Sequence, residues 1–113
     1  AGEFAEPTLD AISAAAAGAL ATMPDDYRVS IVHPKGKGAY PISAFTYILV
    51  YEDAVDPTRG GALATFLWWA IHEGQAFAGP LHYAPLPASL VTKIEATVRG
   101  LRSGETKLLP AEG

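Results

Sequence analysis

Seven consecutive residues, Phe45-Thr46-Tyr47-Ile48-Leu49-Val50-Tyr51, are almost all β-branched, aromatic or otherwise apolar, and none is charged. An amphipathic surface strand alternates apolar and polar side chains. A run without that alternation predicts a strand buried on both faces, central in its sheet rather than at an edge. A central strand needs a neighbour on each side. The chain therefore has to supply at least two more strands or obtain them elsewhere.

Only one other segment reads as a strand. Tyr27 to His33 places Tyr27, Val29 and Ile31 on one face. It follows the turn Met23-Pro24-Asp25-Asp26 and precedes the loop Pro34 to Gly38. The rest reads as helix. Thr8 is a good N-cap, and Leu9, Ile12, Ala16, Ala19 and Leu20 fall on one helical face behind it. Asp56-Pro57 is a second helix start, since Asp caps free N–H groups and Pro suits the first helical position. Leu63, Phe66, Leu67, Ala70 and Ile71 form its stripe. Trp68 and Trp69 widen that stripe and read as core residues on a helix packed from two sides. Gly74 weakens this helix and Gly79-Pro80 stops it. After the rigid loop Tyr83-Ala84-Pro85-Leu86-Pro87, a last helix carries Leu90, Val91, Ile94, Val98 and Leu101 on one stripe. Gly100 and Gly104 close it, and the polar stretch to Gly113 reads as a loose tail.

The order is helix, strand, strand, helix, helix, an α/β pattern. Two strands do not make a stable sheet beneath this much apolar helix surface. Half of the 113 residues are hydrophobic, so the chain is able to bury a core. The shortage is of strands, and the expectation is that the segment packs against other chain.

Composition excludes several roles. The net charge is −4 and the eight Lys and Arg residues are scattered, so no basic face for nucleic acid or a membrane surface is visible. There is no cysteine, hence no disulfide and no thiol chemistry. The Ala-rich run from Ala11 to Ala21 lacks the positive lead of a signal peptide, since Glu3, Glu6 and Asp10 precede it. The chain begins at Ala1 rather than Met, which reads as processing or excerpting.

The search for chemistry is equally negative. His33, His72 and His82 lie too far apart for a helical metal motif, and each reads as structural or surface. Asp25-Asp26 and Glu52-Asp53 sit in turns, where acidic side chains bond locally to backbone. Ser13, Ser30, Ser43 and Ser89 lack the glycines of a nucleophile turn. Gly36-Lys37-Gly38 has no following Ser or Thr and reads as a surface turn, not a phosphate loop. No catalytic residue, no metal ligand and no cofactor site is expected.

An ordered set of short stretches resembles the C-terminal third of the phosphate-binding proteins of phosphate ABC transporters. These are Phe4 to Ala17, Met23 to Arg28, Ala39-Tyr40-Pro41-Ile42-Ser43, Thr46 to Val50, Asp56-Pro57 with Ala62-Leu63, Phe66-Leu67 and Trp69, then Glu73-Gly74-Gln75 and Tyr83 to Pro87. The resemblance runs from Ala1 to about Leu109. It implies part of a two-lobed type II periplasmic-binding fold. Residues 1–38 would belong to the second lobe and 39–44 would cross at the hinge, with Ala39, Tyr40, Pro41 and Ile42 as hinge residues. Residues 45–104 would return to the first lobe, and 105–113 would be a tail. In the family the phosphate contacts lie upstream, so no phosphate-binding residue is expected in this segment. The implied partners are inorganic phosphate for the complete protein, the upstream segment of the same receptor, and an ABC transporter permease. The implied location is the periplasm or cell envelope, with a lipid anchor through a preceding N-terminus as one form.

Two rival readings are set beside this. One is an independent small binding or interaction module, with a swapped homodimer that covers its own strand edges as one form. The other is a phosphatase-like enzyme, which lacks any nucleophile–base pair or metal set.

Overall fold

The structure, a computed structural model, describes residues 3–110. Its three helices lie where local signals place them. Helix α1 (Leu9–Ala19) starts at Thr8, whose hydroxyl accepts from the Ala11 N–H at 3.1 Å. It ends in a 3-10 turn, Leu20–Thr22. Helix α2 (Pro57–Ile71) starts at Asp56, whose carboxylate accepts from the N–H groups of Thr58 and Arg59. Two 3-10 turns, Glu73–Phe77 and Gly79–Leu81, carry the chain to Pro87. Helix α3 (Ala88–Gly100) follows, and its Leu90 and Val98 are buried.

The two expected strands do not form. Neither Tyr27–His33 nor Phe45–Tyr51 belongs to a ladder, so the helix-strand-strand-helix-helix order is corrected to three helices and a late hairpin. Among the described residues the only sheet is antiparallel and two-stranded, β1 (Arg102–Ser103) against β2 (Thr106–Lys107), with Gly104 at φ 60 in its turn. This pairing, together with the burial of Leu108, corrects the reading of a loose tail for the described residues after Gly104; residues 111–113 lie outside the described residues. The described chain is thus mixed α/β with little sheet. The physical reason is the one anticipated: the apolar strand has no neighbours to pair with. Only just past its end does the chain find one. Ala54 N–H donates to Arg102 O at 2.8 Å, and Arg102 N–H donates to Glu52 O at 3.0 Å.

Packing is split between two small cores. The first joins Ala19, Met23, Ile31 and Leu90, with Tyr27, Phe45, Leu86 and Ile94 against it. The second joins Ala64, Val98, Leu101 and Leu108, with Val50, Leu67, Trp68 and Ile94 against it. Ile94 touches both. Two magnitudes show how open this arrangement is. The accessible surface is 8086 Å², against about 5,900 Å² for a compact monomer of this mass. The radius of gyration is 15.9 Å, against about 13 Å for a compact domain of this length.

Candidate functional site

Part of the open apolar surface belongs to an unpaired segment. From Ala44 to Tyr51 no backbone N–H or C=O takes part in a hydrogen bond with another part of the described chain. Buried backbone groups are almost always paired, so a run of this composition left open on both edges is a template for further strands. Its side chains are open too: Ile48 is 62 %, Leu49 94 % and Tyr51 87 % exposed. Only Phe45 and Val50 reach the two cores. Behind the segment lies an open groove of about 840 Å³, lined by Met23, Phe45, Leu67, Ile71, Leu90 and Ile94 among others. Those walls are apolar, so the groove offers burial rather than recognition of a charged ligand.

A second apolar face lies on α2. Phe66, Trp69 and Phe77 stack in a row, with ring centroids 5.9 Å apart at each step. Trp69 remains 42 % exposed, so the core role expected of both tryptophans holds within this chain for Trp68 only. Trp68 lies against the second core and is flanked by two side chains. The Arg99 guanidinium is 4.5 Å from its ring centroid, and the His72 ring is 4.5 Å away.

The residues that could carry chemistry are occupied structurally. His72 bridges helices: Nδ1 lies 2.7 Å from Trp68 O and Nε2 lies 2.6 Å from Glu95 Oε1. The bond to Glu95 and the Trp68 carbonyl together raise its pKa above the usual histidine value. His33 and His82 are exposed and sit in left-handed backbone at φ 51 and φ 61. Asp26 holds Arg28 at 2.7 Å, and that hydrogen bond keeps its carboxyl below the usual range, the wrong direction for a general acid. Asp53 accepts from Arg102 Nη1 at 2.5 Å and from the Gly104 N–H at 2.9 Å, clasping the hairpin. Among the described residues no group of three His, Cys, Asp or Glu could hold a metal ion. Gly36-Lys37-Gly38 is an exposed turn with positive φ at both glycines, so it makes no phosphate cradle on a helix. No described helix is long and apolar enough to cross a membrane.

The four residues expected at a hinge form a short tied stretch. Tyr40 N–H donates to Ala11 O at 3.0 Å, and Pro41 O accepts from the His33 N–H at 2.9 Å. Ser43 Oγ, in a buried residue, donates to Tyr40 O at 3.0 Å. Ala39 is half-buried and Ile42 projects to solvent. Across this stretch runs a set of contacts that sequence reasoning missed. Tyr27 Oη donates to Lys93 O at 3.0 Å and contacts Thr97 Oγ1, while Tyr47 Oη donates to Tyr27 O at 3.0 Å. The sequence signal was faint: Lys93 and Thr97 are four apart and so share a face of α3, but nothing pairs them with Tyr27 in advance.

Comparison with known proteins places this arrangement. No family model and no solved structure matches the chain. Among curated relatives, it is 36% identical over 96 residues to the phosphate-binding protein PstS of Xylella fastidiosa, covering 85% of this chain and 26% of that protein. It is 32% identical over 96 residues to PstS of Pasteurella multocida, covering 85% of this chain and 28% of that protein. It is 36% identical over 95 residues to PstS of Methanocaldococcus jannaschii, covering 74% of this chain and 23% of that protein. The chain therefore spans about a quarter of the length of these relatives, all of them named for binding and none as an enzyme. It belongs to the phosphate-binding protein family, of which it represents a C-terminal segment. The alternative of an independent interaction module or swapped homodimer finds no support in these relatives.

Proposed function

We propose that this chain is the scaffold and hinge-bearing part of a two-lobed receptor of the type II periplasmic-binding fold. The complete receptor captures inorganic phosphate and passes it to an ABC transporter permease, without chemistry. Residues 1–38 complete the second lobe, 39–44 cross between lobes through Ala39, Tyr40, Pro41 and Ile42, and 45–104 complete the first lobe, against which Thr106, Lys107 and Leu108 are docked. The phosphate contacts come from the upstream segment, and this segment holds none. The receptor works in the periplasm, either free or tethered to the envelope by a lipid.

One observation carries the reading. The backbone of the uncharged run Phe45 to Tyr51 is unpaired on both edges and faces an apolar groove. The relatives are about four times longer, and their additional chain is the natural source of the missing strands. Those strands would turn an exposed template into the buried central strand its composition calls for. The distribution of charge agrees. No cluster of cations or free helix N-terminus faces the groove, so nothing in it would hold a phosphate dianion. The two-state logic of such receptors is ligand-driven closure, in which binding favours one of two pre-existing arrangements.

Calorimetric titration with inorganic phosphate tests this. The chain alone is expected to show no heat of binding, and co-expression with the upstream segment is expected to restore saturable binding. Tight phosphate binding by the isolated chain would overturn the assignment of the ligand contacts to upstream residues.

A further inference from the structure

We propose that the core shared by Met23, Ile31 and Leu90 is the fixed pivot of the receptor, about which the lobes turn without separating. This rests on the two-lobe reading above. On that reading residues 3–38 and 45–104 move relative to one another, yet they are joined here by more than the crossing chain. Ala19, Met23 and Ile31 share one core with Leu90, and Phe45, Leu86 and Ile94 pack on it. Ile31 is 3% exposed and Leu90 2%. Ser13 Oγ donates to Pro85 O at 2.8 Å. Tyr27 Oη donates to Lys93 O, and the Lys93 ammonium sits 5.5 Å from the Tyr27 ring centroid and 3.5 Å from Asp25 Oδ1.

The backbone at Tyr27 points the same way. Its φ is 63, a left-handed conformation that a bulky side chain adopts only when its surroundings hold it there. Its N–H donates locally to Pro24 O at 3.0 Å, and from the other side of the crossing it meets the Lys93 carbonyl, the Thr97 hydroxyl and the Tyr47 hydroxyl. These contacts tie the two halves together at Tyr27.

Packed interiors are close to crystalline density, so they do not slide by small increments; they are intact or broken. Breaking this one at each cycle would expose Leu90 and Ile31 and strand the Tyr27 hydroxyl bonds. Rotation about it leaves them in place. The crossing stretch is consistent with that geometry. Tyr40 and Pro41 are bonded back to Ala11 and His33, so this end of the crossing stays with residues 3–38.

The test uses the complete receptor, this chain joined to its upstream segment, with inorganic phosphate as the probe. One variant carries Tyr27→Cys with Thr97→Cys, and a second carries Ser13→Cys with Pro85→Cys. Each is joined by a short bifunctional thiol crosslinker. A pivot predicts that the phosphate Kd changes by less than about twofold on crosslinking, because the bridged atoms stay together in both states. A loss of about tenfold or more on crosslinking either variant means the contact opens with the cleft, and overturns the proposal. The unmodified receptor supplies an independent readout: amide exchange at Leu90 and Ile94 is expected to be the same with and without phosphate, and a phosphate-dependent change there also overturns it. A parent receptor that binds no phosphate sinks the phosphate reading instead, whereas loss confined to the crosslinked forms sinks the pivot alone.

Discussion

Replacing Leu90 by alanine should cost different amounts in two settings, and the difference is set by the open groove. Leu90 is 2% exposed and sits in the first core beside Met23, Ile31 and Ala19. Removing three carbons forfeits about 2.5 kcal/mol of transfer free energy. In a closed core the cavity left behind raises the cost of Leu→Ala to as much as about 5 kcal/mol. Here Leu90 also lines the open groove of about 840 Å³, so the space vacated joins existing solvent-accessible space. The cavity contribution is then small, and L90A in the chain alone should cost about 2.5 kcal/mol. In the complete receptor, where upstream residues fill the groove, the same substitution should cost about 4 kcal/mol. Urea unfolding followed by the fluorescence of Trp68 and Trp69 measures both. With a urea slope of about 1.5 kcal/mol/M, the midpoint in the chain alone falls by about 1.7 M. Equal costs in the two settings, both near the upper figure, would show that the groove is not open in the isolated chain and would refute the reasoning.

Three further substitutions or conditions follow from particular contacts. A Cβ at Gly60 would lie 2.7 Å from the Ala54 Cβ and 2.9 Å from a Leu108 methyl, so G60A should destabilise by about 1 kcal/mol although alanine is the better helix former; thermal unfolding checks it, and a stabilised variant would contradict it. His72 has a raised pKa in the folded chain because of Glu95 and the Trp68 carbonyl. Its contribution to stability is fully present below the unfolded value near 6.5 and is lost as pH rises through the raised folded value. Melting temperatures measured across that window should fall with pH in the parent and lose that component in Glu95→Gln. D53A removes the acceptor of both Arg102 Nη1 and the Gly104 N–H, so it should cost about 1 kcal/mol, since the pair is half exposed, and should speed amide exchange in the β1–β2 hairpin before that in α3.

What the sequence revealed divides by the range of the interaction. Thr8, Asp56 and Pro57 announce their helices because a cap bonds within three residues of itself, and the structure bears all three out. The stripe Leu90, Ile94, Val98, Leu101 was readable because helical spacing alone puts those residues on one side. The uncharged run at Phe45 was readable as a strand by composition, yet no ladder forms, because the partners needed are not among the described residues. The hairpin at Arg102 is hidden by its brevity: Ser103-Gly104 is a turn signal, but with two residues on each side it reads as the end of a helix. The contacts that bind the halves together were beyond reach. His72 and Glu95 are 23 apart in sequence, Tyr27 and Lys93 are 66 apart, and no local pattern pairs residues at such separations. For the same reason the hinge stretch is legible only through its family resemblance, and Tyr27 is legible as a strand residue but not as a partner of Lys93.

Hydrogen exchange resolved at Phe45 to Tyr51 examines the account at its root. For the chain by itself, these amides should exchange within about tenfold of an unstructured peptide while those of α2 and α3 are slowed, and adding the upstream segment should protect them. Strong protection of the run in a monomer of this chain alone would mean its backbone is already paired, and the strand is not waiting for neighbours.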